Sequence, residues 1–583
     1  MTRARSAPRR APRPETPPAT APAPHTLRTA WLLALMCFGV YLTNLRPMGA
    51  WDSIPARVLP FSILHEGNLN LDEFAWLRER NPEPYFLRQG RDGHWLSRYP
   101  IALPVLATPV FAPAAWWLTA HHIGHDDVRF RLASVVMERV AAALVVAISV
   151  ALMYLALCAF TSAGTAAALT LVYALGTSTW SIGSQAMWQH GLSEVGLAGV
   201  SLYLLRPDTR RHAIAAGGFA ALGVLARPTM AVFALAALVY VWRERRRHLG
   251  AFVSLPIIGM LALFAYNRNL GSIVRGGYGN ARFVRPRLAR LVGLLFSPSR
   301  GLLVYTPFAA LALPTLLPGV PRRSSWLMYL GGGIGGYLLL YSAWVGWWGG
   351  QTFGPRFFTD ALPAIVLCAA PTVERLWRVS LGRVLVAFLV AWSVAVQVIG
   401  VYYDDRSWNQ EQAVPWRVWA LTDMQIVHAA GAGWHGTDLA PLLWQALTDP
   451  RPVLLQQLAP SELAGDIAAA EPTPLRLHRG TPATVRLHVT NKSHTAWPAF
   501  SDYGYLECKL VYRWWAGETL AKESAGIALP RNLGPGESTP VNARVQVPAH
   551  PGTYELELLL VQVLDLDKGT SGGTALRVPV QVE

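Results

Sequence analysis

Cysteine is scarce. The 583 residues hold four, Cys37, Cys158, Cys368 and Cys508, and no two share a segment. With no CxxC pair, the spacing predicts neither a disulfide framework nor a cysteine zinc site. The thiols read as small buried apolar groups. Charge is scarce too: 15% of residues are Asp, Glu, Lys or Arg, against about 25% in soluble globular chains. That shortage argues against an ordinary soluble enzyme. Acid is scarcer than base, with 35 Asp+Glu against 51 Lys+Arg and a net charge of +16. Nucleic-acid binders gather such charge on a polar domain. Here the arginines stand between long apolar runs, so the excess points to membrane orientation and not to nucleic acid.

Apolar and aromatic residues fill the space left by charge. Hydrophobic residues make up 52% of the chain, and 23 are Trp. Residues 1–26, with Arg3, Arg5, Arg9, Arg10 and Arg13, form a basic Pro/Ala-rich tail predicted to be disordered and cytoplasmic. Leu27 to Leu45 is long enough to span, since about 20 residues cover a ~30 Å core. Residues 46–99 form a large external loop, in which Ile54, Val58, Phe61 and Leu64 recur at helical spacing. A second span is expected over roughly 100–120, returning His121–Arg139 to the cytoplasm. Apolar runs near 140–160, 164–182 and 186–205 precede Arg206, Arg210 and Arg211. Three full crossings there would put a basic loop outside, against the positive-inside tendency. The stretch 213–242 reads as one long helix or, preferably, a hairpin turning at Arg227-Pro228. Further spans are expected near 250–266, 302–318, 326–343, 358–372 and 384–402. The fold class is a polytopic α-helical membrane protein with about 11–12 transmembrane helices over residues 27–402. An extracytoplasmic connector (403–470) follows, then a C-terminal all-β sandwich (471–583). Alternating runs such as Ala483–Val489 and Val541–Val547, with turns at Gly534-Pro535-Gly536 and Pro551-Gly552, carry the sandwich expectation.

Polar residues collect beside the outer span ends. Asp52 falls just past the first span, where a carboxylate can take a proton from a hydroxyl. A plain helix N-cap is the competing role. The other pieces are Arg57, Ser97-Arg98-Tyr99-Pro100, Trp188-Gln189-His190 with Glu194, Gly277-Tyr278-Gly279, Ser299-Arg300-Gly301 and Gly354-Pro355-Arg356. Aromatic faces suit a sugar's apolar side, and arginine offers a fork to phosphate oxygens. Interfacial snorkelling is the competing role for each Arg. His121-His122-Ile123-Gly124-His125-Asp126-Asp127 looks metal-like but reads as a solvated loop. Trp497, Tyr503, Tyr505, Trp514 and Trp515 in the sandwich are either glycan contacts or, more simply, core.

A basic tail, a first span, an Asp opening a large external loop and a Tyr-Pro motif before the next span resemble the GT-C superfamily of membrane glycosyltransferases. The nearest likeness is to bacterial members akin to protein mannosyltransferases and aminoarabinose transferases. The matching stretches are Trp51–Arg57, Ser97–Pro100, Ala226-Arg227-Pro228, Leu295–Leu302 and Gly349–Arg356. The resemblance implies transfer of a sugar from a polyprenyl-phosphate donor to a glycan, lipid or protein acceptor hydroxyl at the outer face of a bacterial plasma membrane. It implies Asp52 as general base of an inverting displacement. Arg57, Arg98, Tyr99, Arg300 and Arg356 would bind the lipid phosphate or close the pocket, with His190, Glu194, Arg227 and Tyr278 as further candidates. Asp52 is followed by Ser53 and not by a second acid, so a divalent metal is not supported and no other cofactor is expected. The C-terminal region resembles small Ig-like modules. A flippase for a lipid-linked sugar and a non-catalytic scaffold displaying the sandwich are the alternatives.

Overall fold

The computed structural model describes residues 23–79, 81–271, 283–317, 324–404, 406–410, 416–501, 504–523, 526–564 and 569–583. Helices of eight or more residues run in the order α1 (Pro24–Tyr41), α2 (Ile54–His65), α3 (Ala102–Ala120), α4 (Val128–Leu157), α5 (Ala163–Leu175), α6 (Gln189–Leu204), α7 (Arg210–Ala226) and α8 (Ala231–Glu244). They continue with α9 (Leu249–Asn269), α10 (Leu288–Phe296), α11 (Trp326–Ala343), α12 (Leu362–Leu376), α13 (Ser380–Tyr402), α14 (Gln425–Ala432) and α15 (Ala440–Thr448). Among the described residues, five helical stretches are long and apolar enough to cross a membrane: Ala102–Ala120, Val128–Leu157, Arg246–Asn269, Arg356–Leu376 and Ser380–Tyr402. These fit an integral membrane protein.

Local chemistry sets the helix ends. The Asp127 carboxylate caps α4 by accepting the Arg129 N–H at 2.8 Å. Thr209 caps α7 through the His212 N–H. α7 stops because Pro228 pushes Arg227 out of the helical region, to φ −154° and ψ 119°. The chain then doubles back. Arg245, just past α8, donates to the carbonyls of Leu204 and Arg206, and Arg247 meets Asp208 at 2.9 Å. The end of α8 therefore lies beside the start of α7, which is the hairpin expected at Arg227-Pro228.

The expected return of residues 121–139 to the opposite side needs correction. The Leu455 N–H donates to the Asp126 carbonyl, Arg129 donates to the Pro450 carbonyl at 2.9 Å, and Asp127 forms a bridge with Leu454. The turn after α3 thus sits against the connector, at the end of the helical body where α1 finishes. There Arg139 donates to the carbonyls of Tyr41 and Asn44. α3 leaves from that end as well, because Ser97 accepts from Tyr266 near the close of α9. Residues 121–139 do not pass to the opposite end. α4, α5 and α6 carry the chain away, back and away again, so the loop holding Arg206, Arg210 and Arg211 falls at the end opposite Asp52.

In the first loop, β1 (Leu87–Gln89) pairs with β2 (Trp95–Ser97). The C-terminal region holds β3 (Gly465–Ala469), β4 (Leu475–Leu477), β5 (Pro482–Asn491), β6 (Cys508–Ala516), β7 (Thr519–Glu523), β8 (Ile527–Ala528), β9 (Ser538–Gln546), β10 (Gly552–Val563) and β11 (Gly569–Val582). One sheet has the order β3-β5-β9, with Leu487 opposite Val541. The other has the order β4-β11-β10-β6-β7, with β8 also on β6 and only β4 parallel to its neighbour β11. Val485, Leu487 and Val541 from the first sheet share one core with Leu510, Leu556, Leu558 and Val580 from the second. Strand alternation produces this, since every second side chain faces inward. Trp497 and Trp514 are fully buried, so they belong to that core and not to a glycan-binding face.

α4 joins three packing units. Its first turns place Val128, Leu132 and Val135 in the β-region core. Phe130 and Ala141 pack with α2 and α3. Val146 and Val150 lie in the main helical core.

Candidate functional site

Asp52 sits in a 3-10 turn, Trp51–Ser53, that begins after extended Ala50 and leads straight into α2. Ser53 turns inward and donates to the Ala50 carbonyl at 3.0 Å. Asp52 instead meets the Arg356 guanidinium: Oδ2 and Nη2 are 3.1 Å apart, with each side chain 16% exposed. Its other oxygen, Oδ1, is buried and accepts no hydrogen bond. A buried acceptor without a donor costs on the order of 1–3 kcal/mol, so Oδ1 is primed for a hydroxyl. Arg356 Nε is likewise buried and unbonded. The guanidinium lies over Trp188 at 4.7 Å. The approach to Arg356 depends on Gly354 at φ +69°, where an added Cβ would stand 2.5 Å from the Tyr305 ring.

Behind this pair lies a second cluster. The Asp360 carboxylate is fully buried. Oδ1 is 2.8 Å from His190 Nδ1, Oδ2 is 3.2 Å from Arg227 Nη1, and Tyr337 donates its hydroxyl to Oδ2. Arg227 Nη2 also donates to the Tyr341 hydroxyl at 2.8 Å. The Phe357 ring connects the clusters, with Arg227 at 5.4 Å and Arg356 at 5.7 Å. Glu194, one turn after His190, accepts from Thr179 at 2.5 Å. Asp360 and Arg227 are paired, as buried ions must be, whereas Glu194 Oε2 is buried and accepts no hydrogen bond. Sequence reasoning missed Asp360. Its signal was a lone carboxylate at the head of an apolar run, where an acid is costly and commonly functional.

The remaining candidates fall elsewhere. Arg300 was expected to share a phosphate with Arg356, but it is 2% exposed. Its donors go to Ser299, Gln425, Asn409 and Gly350, and it lies over Trp408 at 5.0 Å. Burial pulls its pKa down to about 10. Arg300 therefore fastens the Gly349-Gly350 turn to the connector through both terminal nitrogens, and its Nε is left buried and unbonded. Arg57 points from α2 to Glu138, 3.8 Å away, and not to Asp52. Arg98 donates to the Tyr85 carbonyl at 2.9 Å, next to Phe86, which stacks on Trp51. Arg98 and Tyr99 are thus one ring pair removed from Asp52. Tyr278 lies outside the described residues. Among the described residues no group of three or more His, Cys, Asp or Glu side chains could hold a metal ion.

No family model matches the chain, and no curated protein matches it. The solved structures that align with it include the following two. One is the CARDB domain of a Pyrococcus furiosus protein in complex with di-metal ions, 17% identical over 22% of this chain and 96% of that one, at a TM-score of 0.14. The other is Pseudomonas fluorescens alkylpurine DNA glycosylase bound to DNA containing an abasic site analog. It is 14% identical over 83% of this chain and 98% of that one, also at 0.14. A TM-score of 0.14 carries no statement about the fold or chemistry of this chain.

Proposed function

We propose that this chain is a polytopic membrane glycosyltransferase of the GT-C type, moving a sugar from a polyprenyl-phosphate donor to an acceptor hydroxyl. The observation that carries the reading is the Asp52–Arg356 contact, a carboxylate with one open oxygen held against a guanidinium 304 positions away in sequence. In the reaction, Arg356 holds the donor phosphate as negative charge grows on the leaving oxygen. Asp52 takes the acceptor proton while the new bond to the anomeric carbon forms and the sugar–phosphate bond breaks, with inversion. The phosphate competes with Asp52 for Arg356, so seating the donor frees the carboxylate for the acceptor hydroxyl.

Charge distribution supports a site at the extracytoplasmic face. Arg206, Arg210, Arg245 and Arg247 gather at the end of the helical body opposite Asp52, as the positive-inside tendency favours. Aromatics mark the near end. Trp434 stacks on Tyr402 at the close of α13 with centroids 4.6 Å apart. Trp416 and Trp444 in the connector are 73% and 71% exposed, which suits a headgroup layer.

The test is transfer by full-length protein in liposomes carrying radiolabelled polyprenyl-phosphate sugars. Asp52→Asn should lower the rate about 10²–10⁴-fold. Unchanged transfer would remove Asp52 as the base. The second reading, a lipid-sugar flippase, rests on the buried Asp360, Arg227 and His190 group, since ionic clusters inside helical bundles also mark transport paths. Lipid translocation without any transfer by the wild type would favour it.

A further inference from the structure

A chamber of about 250 Å³ opens at the seam between the helical body and the β-region. At ~30 Å³ per water it holds about eight waters, room for one sugar ring. Its lining includes the apolar side chains of Leu442, Phe500 and Leu529. It also includes Glu138, Asp438, Glu507, Arg57, Arg406 and Ser501. The Ser501 hydroxyl is buried, the residue being 6% exposed, and it finds no hydrogen-bond partner. The floor lies next to the Asp52 turn. A Cβ on Gly49 would stand 2.6 Å from Ser53 Oγ and 3.3 Å from Glu138 Oε2.

We propose that this chamber binds a single sugar ring, its apolar side chains against the C–H face and its polar ones against the hydroxyls. The mixed lining and the unbonded Ser501 hydroxyl carry the assignment. A hydroxyl-rich ring needs both acceptors and donors at close quarters. Carboxylates of α4, the connector and the β-region supply the acceptors, and Arg57 and Ser501 supply the donors. A purely apolar guest would leave the Ser501 hydroxyl unmatched. Glu507 suits the role further, since burial pushes its carboxyl up to about 7, where it both accepts from and donates to hydroxyls. Binding stands on the chamber alone. Only the assignment of the bound sugar as the acceptor rests on the transfer reading.

The experiment is saturation-transfer NMR on the full chain in nanodiscs, with the methyl glycosides of glucose, mannose, N-acetylglucosamine and arabinofuranose as probes. At least one glycoside should receive saturation. The signal should fall about fivefold or more in Leu529→Trp, which fills the chamber, or in near-isosteric Ser501→Val, which removes the unbonded hydroxyl. Ser501→Val decides the matter if Leu529→Trp does not fold. Silence from all four glycosides, or an undiminished signal in the folded variants, overturns the proposal. A chain that binds a glycoside through this chamber but transfers no sugar supports the chamber and overturns the transfer reading.

Discussion

Arg356 and Asp360, four residues apart in one 3-10 turn, feed two different ion pairs: Arg356 closes on Asp52 at 3.1 Å, and Asp360 meets Arg227 at 3.2 Å. The turn therefore ties an accessible charge pair to a sealed one. The two pairs share this backbone and the Phe357 ring.

Asp360→Asn leaves Arg227 buried with its charge uncompensated. The expected loss is about 3–5 kcal/mol of stability, read as a lowered Tm in detergent. The double variant Asp360→Leu with Arg227→Met should recover most of that loss, because no buried charge is stranded. Equal destabilisation of single and double variants would contradict the pairing.

Arg356→Gln removes a charge-assisted contact to the donor phosphate while leaving Asp52 in place. Donor KM should rise about 10- to 100-fold, with a smaller change in acceptor KM. Arg356→Lys should recover only part of the loss, because a point charge replaces a two-pronged donor. Steady-state kinetics with the two substrates varied separately distinguishes these effects.

Gly354→Ala forces a Cβ to within 2.5 Å of the Tyr305 ring at a backbone angle of φ +69°. The combined crowding and left-handed strain should cost about 1–3 kcal/mol. Transfer should also fall, because Arg356 follows two residues later. A wild-type melting curve would show that the turn relaxes freely.

Glu507 gives a pH signature. Its carboxyl is raised to about 7 in the folded chain, chiefly by burial, whereas an unfolded Glu titrates near about 4.3. Between those values the unfolded chain binds fewer protons than the folded one, so this group's contribution to stability falls as pH rises. It is greatest below about pH 4.3 and lost above about pH 7. Glu507→Gln should abolish that slope, so the variant gains on the wild type up to neutrality and runs parallel above it. Thermal melts at stepped pH check the sign.

Much of this architecture was legible because single residues dictate it. Pro228 forces the break after α7 whatever the surroundings, and strand alternation in Ala483–Val489 and Val541–Val547 survives any packing. The far end of α3, itself long and apolar enough to span, was misplaced because hydropathy carries no information about where a helix returns. Its partner α2, the first turn of α4 and residues 450–455 decide that, and they are distant in sequence. Asp52 and Arg356 were named separately, but their meeting was not readable, since nothing local links positions 304 apart. Arg300 shows the converse. A conspicuous Ser-Arg-Gly turn suggested a ligand, whereas its partners Asn409 and Gln425 sit in a connector with no marked pattern.

The length of α4 has a mechanical meaning. Thirty residues at 1.5 Å each reach about 45 Å, well beyond a ~30 Å hydrocarbon layer. The helix acts as a rod whose upper third is clamped in the β-region core by Val128, Leu132 and Val135, while Arg139 grips the end of α1 just before the Asp52 turn. The seam beside Glu138 lies between these two clamps, so one helix links the β-region core to the turn that carries Asp52.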